Sequence, residues 1–264
     1  MLTFAALLGD QRTAGILTCV TRRIHVIGIG AGDPDYVTAQ AMAALNDTDV
    51  FFAMDKGDTK GDLVALRRVI CERFITEPGY RFVEMPDPVR AKSGDYRQAV
   101  DEWHTARARL WAEAITRELD DDGVGAFLAW GDPSLYDSTL RILDRVAAHV
   151  DIDYDVIPGI TAIQALTARH RIPLNDVGEP VLITTGRRLR EYGLTGTAVV
   201  MLDADCAFTE TPAQTRIWWG AYLGTADELL VAGTVGEVGE RIVVARAEAR
   251  ERHGWIMDTY LLRS

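Results

Sequence analysis

Hydrophobic positions along the chain recur with two periods, and the switch between them lays out the elements. Ile24-His25-Val26-Ile27, closed by Gly28, is a short β-branched run with the profile of a buried strand. Thr38 to Asn46 turns helical, rich in alanine, with Met42 and Leu45 on one side. Asp49 to Ala53 is strand-like again, and Asp62 opens a helix whose apolar positions are Leu63, Leu66, Val69 and Ile70. Residues 81–85 form a further strand before the Pro86-Asp87-Pro88 break. From Asp95 to Leu119 the residues Ala99, Trp103, Ala106, Leu110 and Ala114 fall at helical spacing. The charges of that helix, Glu102, Arg107, Arg109, Glu113 and Arg117, are assigned to its solvated surface. A strand at 124–130, a helix at 134–148, a strand at 154–157 and a helix at 161–170 complete the series. Strands alternating with helices imply right-handed crossovers and a mostly parallel sheet with helices on both faces.

Periodicity lapses between Ile172 and Gly178, which makes this stretch a domain boundary. Beyond it lie strands at 181–185, 197–202, 217–222 and 228–231, a helix at 238–252 and a closing strand at 255–262. Strands outnumber clear helices here, so the second sheet is expected to be mixed. The fold class is therefore α/β, in two α/β domains covering 23–174 and 178–264. Residues 1–22 are expected to be a poorly ordered extension without function.

Composition narrows the function classes. The 264 residues are 48% hydrophobic and 25% charged, average for a globular chain, so disordered and fibrous classes are excluded. A net charge of −11 argues against broad nucleic-acid binding, which needs many phosphate-neutralising cations. Cys19, Cys71 and Cys206 are scattered and form no C-x-x-C pair, so neither a disulfide framework nor a metal site is expected, and the compartment reads as reducing. No apolar run approaches the ~20 residues that span a bilayer. The apolar start Leu2 to Leu8 has no basic residue ahead of it and reads poorly as a secretory signal. A cytoplasmic location follows.

Three strand-to-helix junctions carry most of the chemistry: Gly28-Ile29-Gly30-Ala31-Gly32-Asp33-Pro34, Trp130-Gly131-Asp132-Pro133-Ser134 and Ile157-Pro158-Gly159-Ile160-Thr161. In a parallel sheet all three lie at the carboxyl ends of their strands, where ligands bind. Taken singly, Asp33-Pro34 and Asp132-Pro133 read as helix caps with proline in the first turn. Together, three glycine-lined stretches at adjacent strand ends exceed what capping requires. The first junction resembles a dinucleotide fingerprint, but the third glycine of that pattern falls where Asp33 stands. An aspartate followed by a proline, which lacks an N–H donor, is a poor cradle for pyrophosphate. The chemistry suits a positively charged cofactor without phosphate, such as a sulfonium.

The run Val26 to Pro34, with Trp130-Gly131-Asp132-Pro133, Ile157-Pro158-Gly159-Ile160-Thr161-Ala162 and Ile172-Pro173-Leu174 in that order, resembles the tetrapyrrole methylase family. The resemblance covers Arg23 to Leu262. Where the common family pattern has proline in the first loop, this chain has Ala31. Phe51-Phe52-Ala53-Met54-Asp55-Lys56, Trp130 to Ser138, Arg169 to Asn175 and Gly254 to Tyr260 are similar to one subgroup of the family, which works in aerobic cobalamin biosynthesis.

The resemblance implies a homodimer that binds S-adenosylmethionine in a cleft between the two domains. By motif position Ala31, Trp130, Gly131, Asp132, Leu135, Thr161 and Ala162 surround that cofactor, joined by Met201 and Gly224 from the second domain. The implied reaction methylates carbon 1 of precorrin-5 and releases an acetyl group as acetate, on a small tetrapyrrole and not on nucleic acid or membrane. Methyl transfer needs alignment and exclusion of water, whereas loss of the acetyl group needs an attacking water and donors for an oxyanion. Asp132 and Tyr136 are the candidates for that second step. Asp137 is also near, but reads better as a first-turn acid. His104 and His149 read as bystanders, and His170 and His253 fit structural roles equally well. Arg187 and Arg188, at the carboxyl edge of the second sheet, are candidates for the substrate's carboxylates, because a guanidinium pairs with a carboxylate in two contacts. The competing readings are another precorrin methyltransferase, a relative that modifies RNA or protein, a nicotinamide-dependent oxidoreductase, and a non-catalytic sensor of the cofactor.

Overall fold

The computed structural model describes residues 21–55, 61–89 and 95–264. Of the extension expected over 1–22, all but Thr21 and Arg22 lie outside the described residues, and Arg22 already belongs to the first strand. Strands β1 (Arg22–Gly28), β2 (Val50–Asp55), β3 (Arg81–Pro86), β4 (Val124–Ala129) and β5 (Ile152–Ile157) form one sheet in the order β3-β2-β4-β1-β5, with every pair parallel. Successive residues of a strand face opposite ways, so neighbours in sequence feed different cores. Ile27, Phe51 and Leu128 pack with Leu45 of α1 (Ala39–Asn46) and Ile70 of α2 (Gly61–Phe74). Val26, Phe52 and Phe127 pack with Trp111 of α3 (Tyr96–Glu118) and Ile142 of α4 (Thr139–Val146). Helices on both faces of a parallel sheet match the expectation.

The phase of α3 matches in part: Ala99 and Ala114 are buried and Leu110 packs against the core, as expected. The rest of its buried face is His104, Arg107, Ala108, Trp111, Ala112 and Ile115, while Ala106 is exposed. Arg107 is no surface charge: its Nε donates to Asp87 Oδ1 at 2.8 Å and its second prong reaches Asp87 Oδ2. Its guanidinium lies 3.8 Å from the centroid of the Trp103 ring. A paired, stacked arginine tolerates burial that a lone one would not. Glu102, Arg109, Glu113 and Arg117 are exposed as expected.

The second sheet holds β6 (Val181–Thr185), β7 (Thr197–Met201), β8 (Arg216–Ala221), β9 (Leu229–Thr234) and β10 (Asp258–Arg263), in the order β6-β7-β10-β8-β9. Only β6 and β7 run parallel, so the sheet is mixed. One face, with Ile217, Trp219 and Tyr260, is covered by Val238 and Ile242 of α7 (Val235–His253). The other face, with Val199, Trp218 and Leu261, is covered by Ile163 and Leu166 of α5 (Ala162–His170). Although α5 follows β5 in the chain, it seats on the second sheet and so couples the two. A short helix, α6 (Gly186–Tyr192), escapes the periodicity reading because it has seven residues and Leu189 is its single buried aliphatic side chain.

Candidate active site

β4, β1 and β5 are neighbours in the first sheet, so their three carboxyl-terminal loops lie side by side. Glycine makes the closeness possible. Gly30 and Gly131 exchange backbone hydrogen bonds of 3.2 and 2.8 Å, an isolated bridge between the first and second loops. A Cβ on Gly28 would stand 2.6 Å from the nitrogen of Gly159, and one on Gly159 would overlap the carbonyl oxygen of Gly131. The three loops therefore touch backbone to backbone.

Asp132 fastens the arrangement. Its Oδ2 accepts the backbone N–H of Gly159 at 2.9 Å, and its Oδ1 accepts the N–H and the hydroxyl of Ser134 at 2.8 and 2.5 Å. Burial acts to raise its pKa, but these hydrogen bonds outweigh burial and hold the carboxyl below its ordinary range. It is ionised at neutral pH, with both oxygens engaged. Asp33 caps the 3₁₀ turn Pro34–Tyr36 by accepting the N–H of Asp35 at 2.9 Å.

Ala31, Leu135, Ala162 and Met201 meet in one apolar cluster that joins loop one, the second loop, α5 and β7. The indole Nε1 of Trp130 is buried without a hydrogen-bond partner among the described residues. Thr161 caps α5, accepting the N–H of Ile163 at 3.1 Å, while Gln164 reaches back to the Thr161 N–H. Gly131 holds a left-handed φ of +68°, and the nearest atom to its missing side chain is Thr161 Cα at 3.7 Å. Gly224 stands apart from that group, since a Cβ there would press on the nitrogen of Asp33 at 2.6 Å and on the Tyr36 ring at 2.9 Å. It allows the second unit to close on the first loop, and Gly32 does the same from the other side against the Leu223 carbonyl.

The helix expected from 134 begins at Thr139 instead, and the reason is Asp132. By capturing Ser134 it holds residues 134–138 in a loop, Tyr136 takes a left-handed φ of 51°, and Asp137 caps Thr139 with a 2.6 Å hydrogen bond. Tyr136 is consequently 44% exposed at the junction of two grooves. The deeper one, of about 230 Å³, is walled by Phe52, Met54, Arg67, Trp111 and Tyr136. The wider one, of about 550 Å³, runs between Trp103, His104, Leu135 and Arg141 of the first unit and Ile183 on β6 of the second. Burial pushes the Tyr136 phenol up, so it remains a donor at neutral pH. Arg67 is tied to the carbonyl of Leu128 at 3.1 Å and feels the charge of Asp137, while burial lowers its pKa.

Arg187 and Arg188 lie on α6, exposed, immediately after β6. Arg188 donates to Glu191 and to the Tyr192 hydroxyl, both at 2.8 Å. Arg67, His104, Arg107 and Arg141, which line the two grooves, carry no motif signature. The one sequence signal that could have found them is the pairing of Arg107 with a proline-flanked Asp87, which anchors α3.

The family model for Tetrapyrrole (Corrin/Porphyrin) Methylases matches residues 23–239 of the chain. The chain is 52% identical to a precorrin-6A synthase [deacetylating] of Sinorhizobium sp over 249 residues, 92% of this chain and 95% of the relative. It is 30% identical to a precorrin-2 C(20)-methyltransferase of the same source, over 68% of this chain and 72% of the relative. Among solved structures, the cobalamin synthesis related protein CobF from Corynebacterium diphtheriae superposes with a TM-score of 0.81 at 43% identity, covering 92% of this chain and 98% of that one.

Proposed function

The chain belongs to the tetrapyrrole methylase family, and from that membership we propose that it is an S-adenosylmethionine-dependent C-methyltransferase that methylates carbon 1 of precorrin-5 and expels an acetyl group as acetate, giving precorrin-6A. One observation carries the reading: three glycine-lined loops touch at adjacent strand ends in a chain 52% identical to a precorrin-6A synthase over 92% of its length. The wider reading is of a cytoplasmic homodimer acting on a small tetrapyrrole, with domains at 23–174 and 178–264. A net charge of −11 speaks against nucleic acid as a partner, and no described helix is long and apolar enough to cross a membrane.

The residues present fit the cofactor. The buried, unpartnered Nε1 of Trp130 and the open backbone face at Gly131 offer a donor and a bare surface to a nucleoside. Asp132, ionised and held at both oxygens, would offer negative potential to a sulfonium. Ala31, Leu135, Ala162 and Met201 wall the site and keep water out, Thr161 sets the start of α5, and Gly224 lets the second domain close over it. A pyrophosphate is poorly served, because position 33 is an aspartate turned back on its own helical turn.

Bound S-adenosylmethionine supplies an electrophilic methyl group, and the protein's part in that step is alignment and exclusion of water. The second step asks for a donor where negative charge develops on the acetyl oxygen, and the protonated Tyr136 phenol at the groove junction meets that need. Asp132 takes part by holding the loop that presents Tyr136. Arg187 and Arg188, exposed on α6 after β6, are the candidates to pair with substrate carboxylates. Calorimetry with S-adenosylmethionine and with NAD tests the reading: saturable binding of the first alone supports it, and binding of NAD alone overturns it.

A further inference from the structure

His104 lies on α3 in the wall of the wider groove, 8% exposed, beside Ser134, Leu135 and Tyr136. Its ring packs on Trp103 with centroids 5.3 Å apart. The charged groups that face it are Arg107 and Asp101 from its own helix and Arg141 and Arg145 from α4. Arg107 is paired with Asp87, and Arg145 with Asp101 at 2.5 Å. Burial first, and then these guanidiniums, hold the imidazole below its ordinary range, so it is neutral at neutral pH.

A buried histidine usually spends its ring on a hydrogen bond. His170 does so with the carbonyl of Trp219 at 3.0 Å, and His25 with Asp47 at 3.1 Å. The His104 ring contacts the Trp103 ring and shares the groove wall with Tyr136. It is a neutral base at the edge of a groove, on the same wall as the Tyr136 phenol.

We propose that His104 is a catalytic residue of acetyl loss, the general base for the water that attacks the acetyl carbonyl. The inference rests on the methyltransferase reading above. Methyl transfer leaves the macrocycle with one positive charge. The oxygen of a water then bonds to the acetyl carbon while His104 takes one of its protons, and Tyr136 donates to the carbonyl oxygen as it becomes negative. The bond between the acetyl carbon and the ring carbon breaks, its electron pair neutralises the macrocycle, and acetic acid leaves and ionises to acetate. One water is consumed and two protons are released, the first through His104. The nearby carboxylates are less suited: Asp132 has both oxygens engaged, and Asp137 caps Thr139.

Single-turnover incubations of precorrin-5 with S-adenosylmethionine test this, reading S-adenosylhomocysteine and acetate separately for the native chain, His104→Ala and His104→Gln. The expected result is that acetate falls about 100-fold relative to S-adenosylhomocysteine in both variants, the scale of a lost general base, with a methylated, still acetylated product accumulating. Acetate release by the native chain should fall in acid, as the imidazole protonates, and the residual release of the variants should lose that dependence. Acetate keeping pace with S-adenosylhomocysteine in His104→Gln, which conserves volume if His104→Ala does not fold, overturns the proposal. Absence of S-adenosylhomocysteine even from the native chain overturns the methyltransferase reading, and this one with it.

Discussion

The carboxylate of Asp132 accepts the backbone N–H of Gly159 at 2.9 Å, joining loops that are 27 residues apart in sequence. A charged acceptor between two glycine-lined loops does what neither loop can do alone, since glycine backbone has little intrinsic preference for one conformation. Removing it in Asp132→Ala should cost about 2 kcal/mol of stability, the scale of hydrogen bonds to a charged group, and weaken S-adenosylmethionine binding in calorimetry. The pH dependence has a definite sign. The folded carboxyl titrates below its unfolded value, so its contribution is complete above about pH 4 and fades as pH falls through the folded pKa. Thermal unfolding curves of the native chain and Asp132→Ala should therefore separate at neutral pH and converge in acid.

The glycines at the meeting point differ in what they tolerate. In Gly159→Ala the new methyl overlaps the Gly131 carbonyl, backbone against backbone, and the third loop must move. In Gly131→Ala the methyl meets only Thr161 Cα at 3.7 Å, and the cost is that of a left-handed alanine, about 1 kcal/mol. Cofactor titration should find binding by Gly159→Ala reduced more than tenfold. Gly131→Ala should lose about 1 kcal/mol in denaturant unfolding. Equal effects on stability from the two substitutions would contradict this packing.

Arg187→Ala combined with Arg188→Ala should weaken tetrapyrrole binding and leave S-adenosylmethionine binding intact, as separate titrations of the two ligands can establish. Since Arg188 already pairs with Glu191 on the exposed surface, the substitution should cost less than about 1 kcal/mol of stability. Unchanged tetrapyrrole affinity would make these arginines surface charges only.

The Arg107–Asp87 pair is buried on the arginine side and anchors the Trp103 ring that walls both grooves. Arg107→Ala strands the Asp87 carboxylate and should destabilise the fold by about 3 kcal/mol. Arg107→Ala together with Asp87→Ala should cost less than the single substitution. A double-mutant cycle in urea reads the difference, and strict additivity would show the pair to be inert.

The cofactor edge is legible in the sequence and the grooves beside it are not, for physical reasons. Gly28, Gly30, Gly131 and Gly159 announce themselves because tight backbone contact excludes side chains, and Asp33 and Asp132 mark the junctions by their neighbouring prolines. The alternation that sends Phe51 to one core and Phe52 to the other is likewise written in adjacent letters. The phase of α3 is legible only in part, at Ala99 and Ala114, because two positions of its buried face are His104 and Arg107, which a hydrophobicity pattern reads as surface. Their burial depends on Asp87 and on the helix opposite, information no local window contains. The late start of α4 is hidden for a related reason: the oxygens of Asp132 reach Ser134 and Gly159 at once, and the second contact is long-range. Seating of α5 on the second sheet is also a tertiary choice, made by Ile163 and Leu166 finding Trp218 and Leu261.

The most direct measurement is the product balance from precorrin-5 incubated with S-adenosylmethionine and the native chain. The expected outcome is S-adenosylhomocysteine and acetate in equal amounts, with one methyl group gained by the macrocycle. No S-adenosylhomocysteine above the enzyme-free control, or methylation with the acetyl group fully retained, would contradict the assignment.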